Sequence, residues 1–340
     1  MKKIPVEKAV GMILCHDLTQ IIKGEFKGPA FKKGHIITEE DIPRLLQMGK
    51  ENLFVWEKKE GYLHEDEAVQ RMADAVAGEG ITLTDPSEGK ISLISSRRGL
   101  LKVNVEGLTE LNSLEQVIIA TLHTDQVVEK DLIVAGTRAI PLQIDEKIIE
   151  QWEALAEKYK PVIQVKALSP LRVGMVVTGS EVYKGRIEDK FSPVVEEKVK
   201  KLGGQIFRKI YVDDNTRMIA DAIQEIMREK VDLVVVTGGM SVDPDDLTPA
   251  GVVVAGGKII SYGSPTMPGA MFMVAYIGDI PVLGLPGCVM FASTTVFDLI
   301  LPRIMAGETI TRRDIVKLGH GGLCQGCSTC RFPACAFGKA

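Results

Sequence analysis

The chain has 340 residues, of which 45% are hydrophobic and 25% charged. These values are close to the averages of folded globular proteins and exclude collagen-like, mucin-like and disordered classes. Lys and Arg total 41 against 45 Asp and Glu, a formal charge of -4, and no basic run is long enough to neutralise a row of phosphates, so nucleic acid is not an expected partner.

The length suits two or three domains. Met1-Lys2-Lys3 is not followed by an apolar signal region, because Pro5, Glu7 and Lys8 interrupt it, and a cytoplasmic location is expected. The most apolar stretch, 270–301, is broken by Gly278-Asp279, Pro281, Pro286-Gly287 and Asp298. It reads as buried strands and a core helix, and no membrane association is expected.

In chain order, residues 1–62 read as a small α+β region, with a helix capped by Thr38 and a strand from Asn52 to Trp56. Residues 63–160 read as a mixed, β-rich domain. It contains a helix over 65–76, a turn at Gly78-Glu79-Gly80, strands within 90–105, 118–122 and 131–135, and a helix over 146–158 placed to link the two halves. No catalytic motif falls there, and His64 and His123 read as surface or core histidines. From 161 to 310, apolar runs alternate with amphipathic helices, the pattern of a three-layer, mostly parallel α/β domain. Strands are predicted over 172–178, 205–212, 231–237 and 281–285, and helices over 192–202 and 216–228. Residues 311–340 form a cysteine-rich tail.

The third of these strands ends in Thr237-Gly238-Gly239-Met240-Ser241-Val242-Asp243-Pro244-Asp245-Asp246, and Thr248-Pro249 then opens a helix. Two glycines at a strand's carboxyl end let backbone N–H groups approach a ligand, and ligands of open α/β sheets bind at that end. Asp243, Asp245 and Asp246 repel a phosphate by themselves, so they serve either a bridging Mg2+, with Asp243 and Asp246 as its ligands, or caps and turns.

Several further pieces stand in order around this loop. They are Thr178-Gly179-Ser180-Glu181-Val182, Asp189, Leu202-Gly203-Gly204, Val212-Asp213-Asp214, Pro268-Gly269 and Gly284-Leu285-Pro286-Gly287. With the loop, they resemble the molybdopterin-binding domain of the molybdopterin molybdenumtransferase family and its smaller adenylyltransferase relatives. Val6-Glu7-Lys8-Ala9-Val10-Gly11 and Ala30-Phe31-Lys32-Lys33-Gly34 resemble the opening of the same family.

The resemblance implies a transferase that inserts molybdate into adenylylated molybdopterin with release of AMP, using Mg2+ and the carboxylates Glu181, Asp213 and Asp246. It also implies ligand binding through Thr178, Gly179, Gly238, Gly239, Ser241, Pro268, Gly269, Pro286 and Gly287, and a homodimer. The chain departs from the pattern in three places. Ser180 replaces an aspartate, Met267-Pro268-Gly269-Ala270-Met271 lacks both lysines of the family segment, and Cys288-Val289 follow Gly287. The usual C-terminal β-barrel is also missing. These departures leave a second reading open, a non-catalytic molybdopterin carrier or maturation factor serving a molybdoenzyme. Glu181 as a turn residue and Asp213-Asp214 as a helix cap are the plain structural alternatives.

Of the six cysteines, Cys15 and Cys288 lie apart while Cys324, Cys327, Cys330 and Cys335 crowd into the tail, unlike a disulfide framework. Their x2, x2 and x4 spacing suits Zn2+ or an iron–sulfur cluster. A loose tail of redox-sensitive thiols, and soft thiolates acting on molybdenum at the pterin site, are the alternatives.

Overall fold

The computed structural model describes residues 2–22, 25–55 and 60–339, and divides the chain into two compact units. The first comprises Met1–Ser96, Val103–Leu122 and Asp131–Gln164. Its start pairs strand Lys2–Pro5 antiparallel with Asn52–Val55 over a small core of Val6, Leu14, Ile37, Leu45 and Leu53. Trp56, the expected end of that second strand, lies outside the described residues. The helix read from Thr38 begins later, at Asp41 (Asp41–Gln47), because Thr38 N and Oγ1 both donate to Asp41 Oδ2.

The rest of this unit is a four-stranded antiparallel sheet, in the order Ile81–Leu83, Lys90–Ser95, Ile133–Ala139, Val117–Thr121. Helices Glu65–Val76 and Glu146–Lys158 occupy the predicted ranges. Trp152 is fully buried between them, and its indole N–H donates to Met72 O at 3.0 Å. The unit holds one helix beyond those expected, Val105–Asn112, whose start is fixed by Asn104 Oδ1 accepting from Gly107 N. An asparagine cap directly after a strand carries too little periodicity to be seen in advance. His64 is a buried helix cap: Nδ1 accepts from Asp66 N, and Nε2 donates to Cys15 O.

The second unit contains the predicted α/β layers. Its strands are β1 (Arg172–Thr178), β2 (Gln205–Val212), β3 (Leu233–Thr237), β4 (Lys258–Tyr262), β5 (Met273–Ile277) and β6 (Ile280–Leu285). Their order is β2-β1-β3-β6-β5-β4, with the first four mutually parallel and β5 antiparallel to both β6 and β4. Strand alternation sends Val173, Met175, Val177, Leu233 and Val235 to one face, where they meet Phe297, Ile300 and Leu301 of α5 (Val296–Met305) and Val195 and Val199 of α2 (Phe191–Lys201). Val176, Val234 and Val236 face the other way, onto α3 (Thr216–Met227) and α4 (Thr248–Val254). Each fully buried valine, leucine or isoleucine contributes ~1.5–3 kcal/mol, so these two layers supply most of the unit's stability. A four-residue turn of helix, α1 (Ser180–Tyr183), follows β1, and α6 (Arg312–Lys317) follows α5.

Two excursions from earlier in the chain, Arg97–Lys102 and His123–Lys130, belong to this unit. Gln126 pairs antiparallel opposite Leu101, and Lys102 Nζ sits 2.7 Å from Glu308 Oε1. Arg303, 11% exposed, contacts Glu308 and Asp314 at 2.7 Å each. Although burial opposes ionisation, Arg303 and the Thr311 hydroxyl and amide hold the Asp314 carboxyl at about 2 against an ordinary 3.8. That stabilisation is complete above 3.8 and lost as pH falls towards 2. We expect Arg303→Met, which leaves two partly buried carboxylates without their cation, to lower the unfolding free energy by about 3 kcal/mol at neutral pH, and by less below pH ~3. Urea titrations at the two pH values check this.

Candidate functional site

The carboxyl ends of β1, β3 and β6 each carry a glycine-containing loop. Gly179, at φ 139°, caps α1, and Ser180 behind it is tied to the loop after β2. Ser180 N donates to Asp214 Oδ2 at 2.8 Å and its hydroxyl donates to Asp213. Lys184 Nζ lies 3.1 Å from Asp213 Oδ2. The Ser180 hydroxyl first, and then Lys184, hold the Asp213 carboxyl below the ordinary carboxylate range. The cap of α3 is Asn215, whose Oδ1 accepts from Arg217 N and Met218 N, so Asp213 and Asp214 are used on the strand-end loop and not on the helix. Ser180, at first sight only a departure from the family pattern, is therefore the residue that joins two loops. Glu181 is exposed, and its carboxylate lies 3.5 Å from where a Cβ on Gly179 would stand.

The β3 loop presses against β1. Gly238 has φ 85°, and a Cβ there would come within 2.4 Å of Thr178 O and 2.6 Å of Thr178 Oγ1. Gly239 has φ 56°, and its Cβ would fall 2.8 Å from Thr248 Oγ1. That hydroxyl donates to Gly238 O at 2.8 Å and closes the loop. Further along, Asp246 Oδ2 accepts from Asp243 N at 3.0 Å, so Asp246 shapes a turn, while Ser241, Asp243 and Asp245 are exposed. Tyr262 on β4, invisible to motif reading, donates its hydroxyl to Met240 O at 3.0 Å. Burial, and next the Asp246 charge, raise the Tyr262 hydroxyl above its ordinary value.

Thr178 and Thr237 end the adjacent strands β1 and β3. Both are buried, and neither hydroxyl has a hydrogen-bond partner among the described residues. Such hydroxyls are costly unless something else satisfies them. Thr237 was missed because a threonine ending a strand looks like any β-branched strand residue.

The remaining predicted binding residues fall on two other loops. Gly269, at φ 131°, is required by packing, since a Cβ would meet Val296 Cγ1 at 2.6 Å, whereas Gly287 after Pro286 faces open space. Pro268 lines a cavity of about 330 Å³ together with Phe291, Thr294 and all four tail cysteines, Cys324, Cys327, Cys330 and Cys335. The tail is docked on this unit, because Met267 N donates to Gly322 O and Cys324 N to Met267 O, each at 2.8 Å. Phe337 is buried in the core. Among the described residues, no group of three or more His, Cys, Asp or Glu side chains is gathered closely enough to enclose a metal ion, and no helix is long and apolar enough to cross a membrane.

The layers and strand-end loops define a three-layer α/β ligand-binding domain. The profile of the family described as "Probable molybdopterin binding domain" matches residues 174–306, and the second unit thus contains a domain of that type. Residues 3–57 match a family described as a domain of unknown function. A CinA-like protein of Mycobacterium sp. (strain MCS) is 36% identical over 81 residues, 24% of this chain and 19% of that protein. Another, from Citrifermentans bemidjiense, is 30% identical over 97 residues, 28% of this chain and 23% of its own length. The chain therefore spans less than a quarter of these curated relatives. Among solved structures, the molybdopterin biosynthesis enzyme MoaB of Thermus thermophilus is 18% identical, with 41% of this chain and 98% of that one covered at a TM-score of 0.33. A molybdenum cofactor biosynthesis protein from Pyrococcus furiosus is 15% identical, with 91% and 66% covered at a TM-score of 0.27.

We expect Gly238→Ala to destabilise the second unit by about 1–3 kcal/mol, because the residue combines a left-handed backbone with a contact on Thr178. A shift in the urea midpoint relative to wild type measures it.

Proposed function

We propose that the second unit binds molybdopterin or its adenylylated form at the carboxyl ends of β1, β3 and β6 and, in the adenylylated case, inserts molybdate with release of AMP. The observation that carries the reading is the buried, unpartnered hydroxyl of Thr178 set against Gly238 and Gly239. A phosphate oxygen placed there would accept from that hydroxyl and from glycine N–H groups. Gly179 and Ser241 extend the cradle, and Pro268-Gly269 and Pro286-Gly287 form the opposite wall.

The carboxylates Glu181, Asp213 and Asp246 stand on three neighbouring strand-end loops. Mg2+ fits Asp246 and Asp243, since this ion needs only one or two carboxylates when substrate phosphates and water complete its shell. Once bound, it would neutralise charge on the pyrophosphate. Asp213, kept ionised by Ser180 and Lys184, suits electrostatic or proton-handling work on molybdate, and Lys184 supplies a cation in a site whose Met267–Met271 segment has no lysine.

A second reading is a carrier that holds the pterin without turnover and passes it to a molybdoenzyme or maturation partner, as a homodimer in the cytoplasm. It is favoured by the pairing of Met267 with the tail, where the family segment has its lysines.

The test incubates anaerobic protein with adenylylated molybdopterin, molybdate and Mg2+, and follows AMP and bound pterin together. Molybdate-dependent AMP release that falls about 10²-fold in Asp246→Asn supports insertion. Retained pterin without AMP supports the carrier, and an absence of both rules out the binding reading.

A further inference from the structure

Four thiols from the tail share one cavity of about 330 Å³, and its remaining wall is largely apolar: Phe291, Ala292, Leu323, Ala336 and Phe337. None of the thiols is oxidised in a disulfide. Cys324 and Cys335 are half-buried against the main core, whereas Cys327 and Cys330 are exposed on the outer side. The tail is fixed at both ends of the cysteine run: Cys324 N donates to Met267 O, and Gly338 N donates to Gly321 O.

We propose that Cys324, Cys327, Cys330 and Cys335 hold an iron–sulfur cluster of the [4Fe–4S] class in this cavity. A structural zinc site draws four sulfurs to ~2.3 Å from one point. The cavity lined by the four thiols, about 330 Å³, has room for a polynuclear core with its own bridging sulfides. Three cysteines at x2 and x2 spacing with a fourth after x4 come close to the x2, x2, x3 run of cluster-binding loops, although Pro333 precedes the fourth cysteine where those loops place a proline after it.

The surroundings agree. A cluster held by four thiolates is anionic, and Arg331 lines the cavity. The Thr294 hydroxyl lies 3.3 Å from Cys330 Sγ, within reach of a ligating sulfur. Hydrogen bonds to ligating sulfur and apolar walls are the features that hold and tune such clusters. This site does not depend on pterin binding by the strand-end loops.

The full chain, prepared without oxygen, is incubated with equal amounts of ferrous and ferric iron and with sulfide, desalted, and its iron, acid-labile sulfide and zinc are counted. We expect about four iron and four sulfide per chain, with a visible thiolate-to-iron absorption that bleaches on reduction by dithionite. Removing the metal with a chelator abolishes this absorption, and a second reconstitution restores it. Cys324→Ser, Cys327→Ser, Cys330→Ser and Cys335→Ser each lower retained iron several-fold, whereas Cys15→Ser, in the first unit, retains it. Circular dichroism of each variant separates loss of the site from loss of the fold, and the wild-type stoichiometry decides if a variant does not fold. One zinc per chain without sulfide, equal iron in the variant lacking all four tail thiols, or a wild-type chain that ends the incubation with four free tail thiols would each overturn the proposal.

Discussion

The close approach of Gly238 to the end of β1 is the constraint on which the rest of the second unit depends. Parallel pairing of β1 with β3 sets Val177 opposite Thr237, so Thr178 and Thr237 stand one step apart at the sheet's carboxyl edge and turn their side chains to opposite faces. A chain leaving β3 beneath that edge has to pass within van der Waals range of Thr178, and only a residue without Cβ and at positive φ can do so. The Thr178 hydroxyl is covered by this approach and has no protein partner among the described residues. The strand-end cradle is therefore a by-product of tight packing, and its polarity is left for a ligand to satisfy.

Much of this architecture was legible because it rests on strong local signals. Continuous apolar strands, such as 172–178, and amphipathic helices, such as 216–228, fixed the layers to within a residue or two at most ends. The helix Val105–Asn112, β4 and the short turn α1 escaped notice, since none offers enough periodicity to outweigh its neighbours. At the site, motif glycines and carboxylates could be named, but their duties could not. Gly269 answers to Val296, Gly287 to nothing nearby, and Asp246 bonds within its own loop. Ser180, Lys184, Thr237 and Tyr262 are ordinary residue types whose importance comes from what the fold sets opposite them, which spacing along the chain does not encode.

The tail is likewise organised by the fold. Its backbone pairs with Met267 and its Phe337 enters the main core, so the cysteine run is held at the rim of the loop carrying Pro268 and Gly269. A segment that spacing alone would also allow to be loose is instead part of a packed surface, and any group the thiols bind would adjoin the wall of the strand-end cradle.

The two early excursions have a bearing on how this domain can be inherited. Lys102 and Asp125, which surround Arg303 and Glu308, arrive from residues that precede the six-stranded sheet by some distance in the chain. A gene segment starting at residue 161 encodes every strand of that sheet yet omits those counter-charges. In space the domain is one body; along the gene it is three. Recombination at a single junction would transplant the layers without Lys102 and Asp125, leaving Arg303, Glu308 and Asp314 to balance their charges without them.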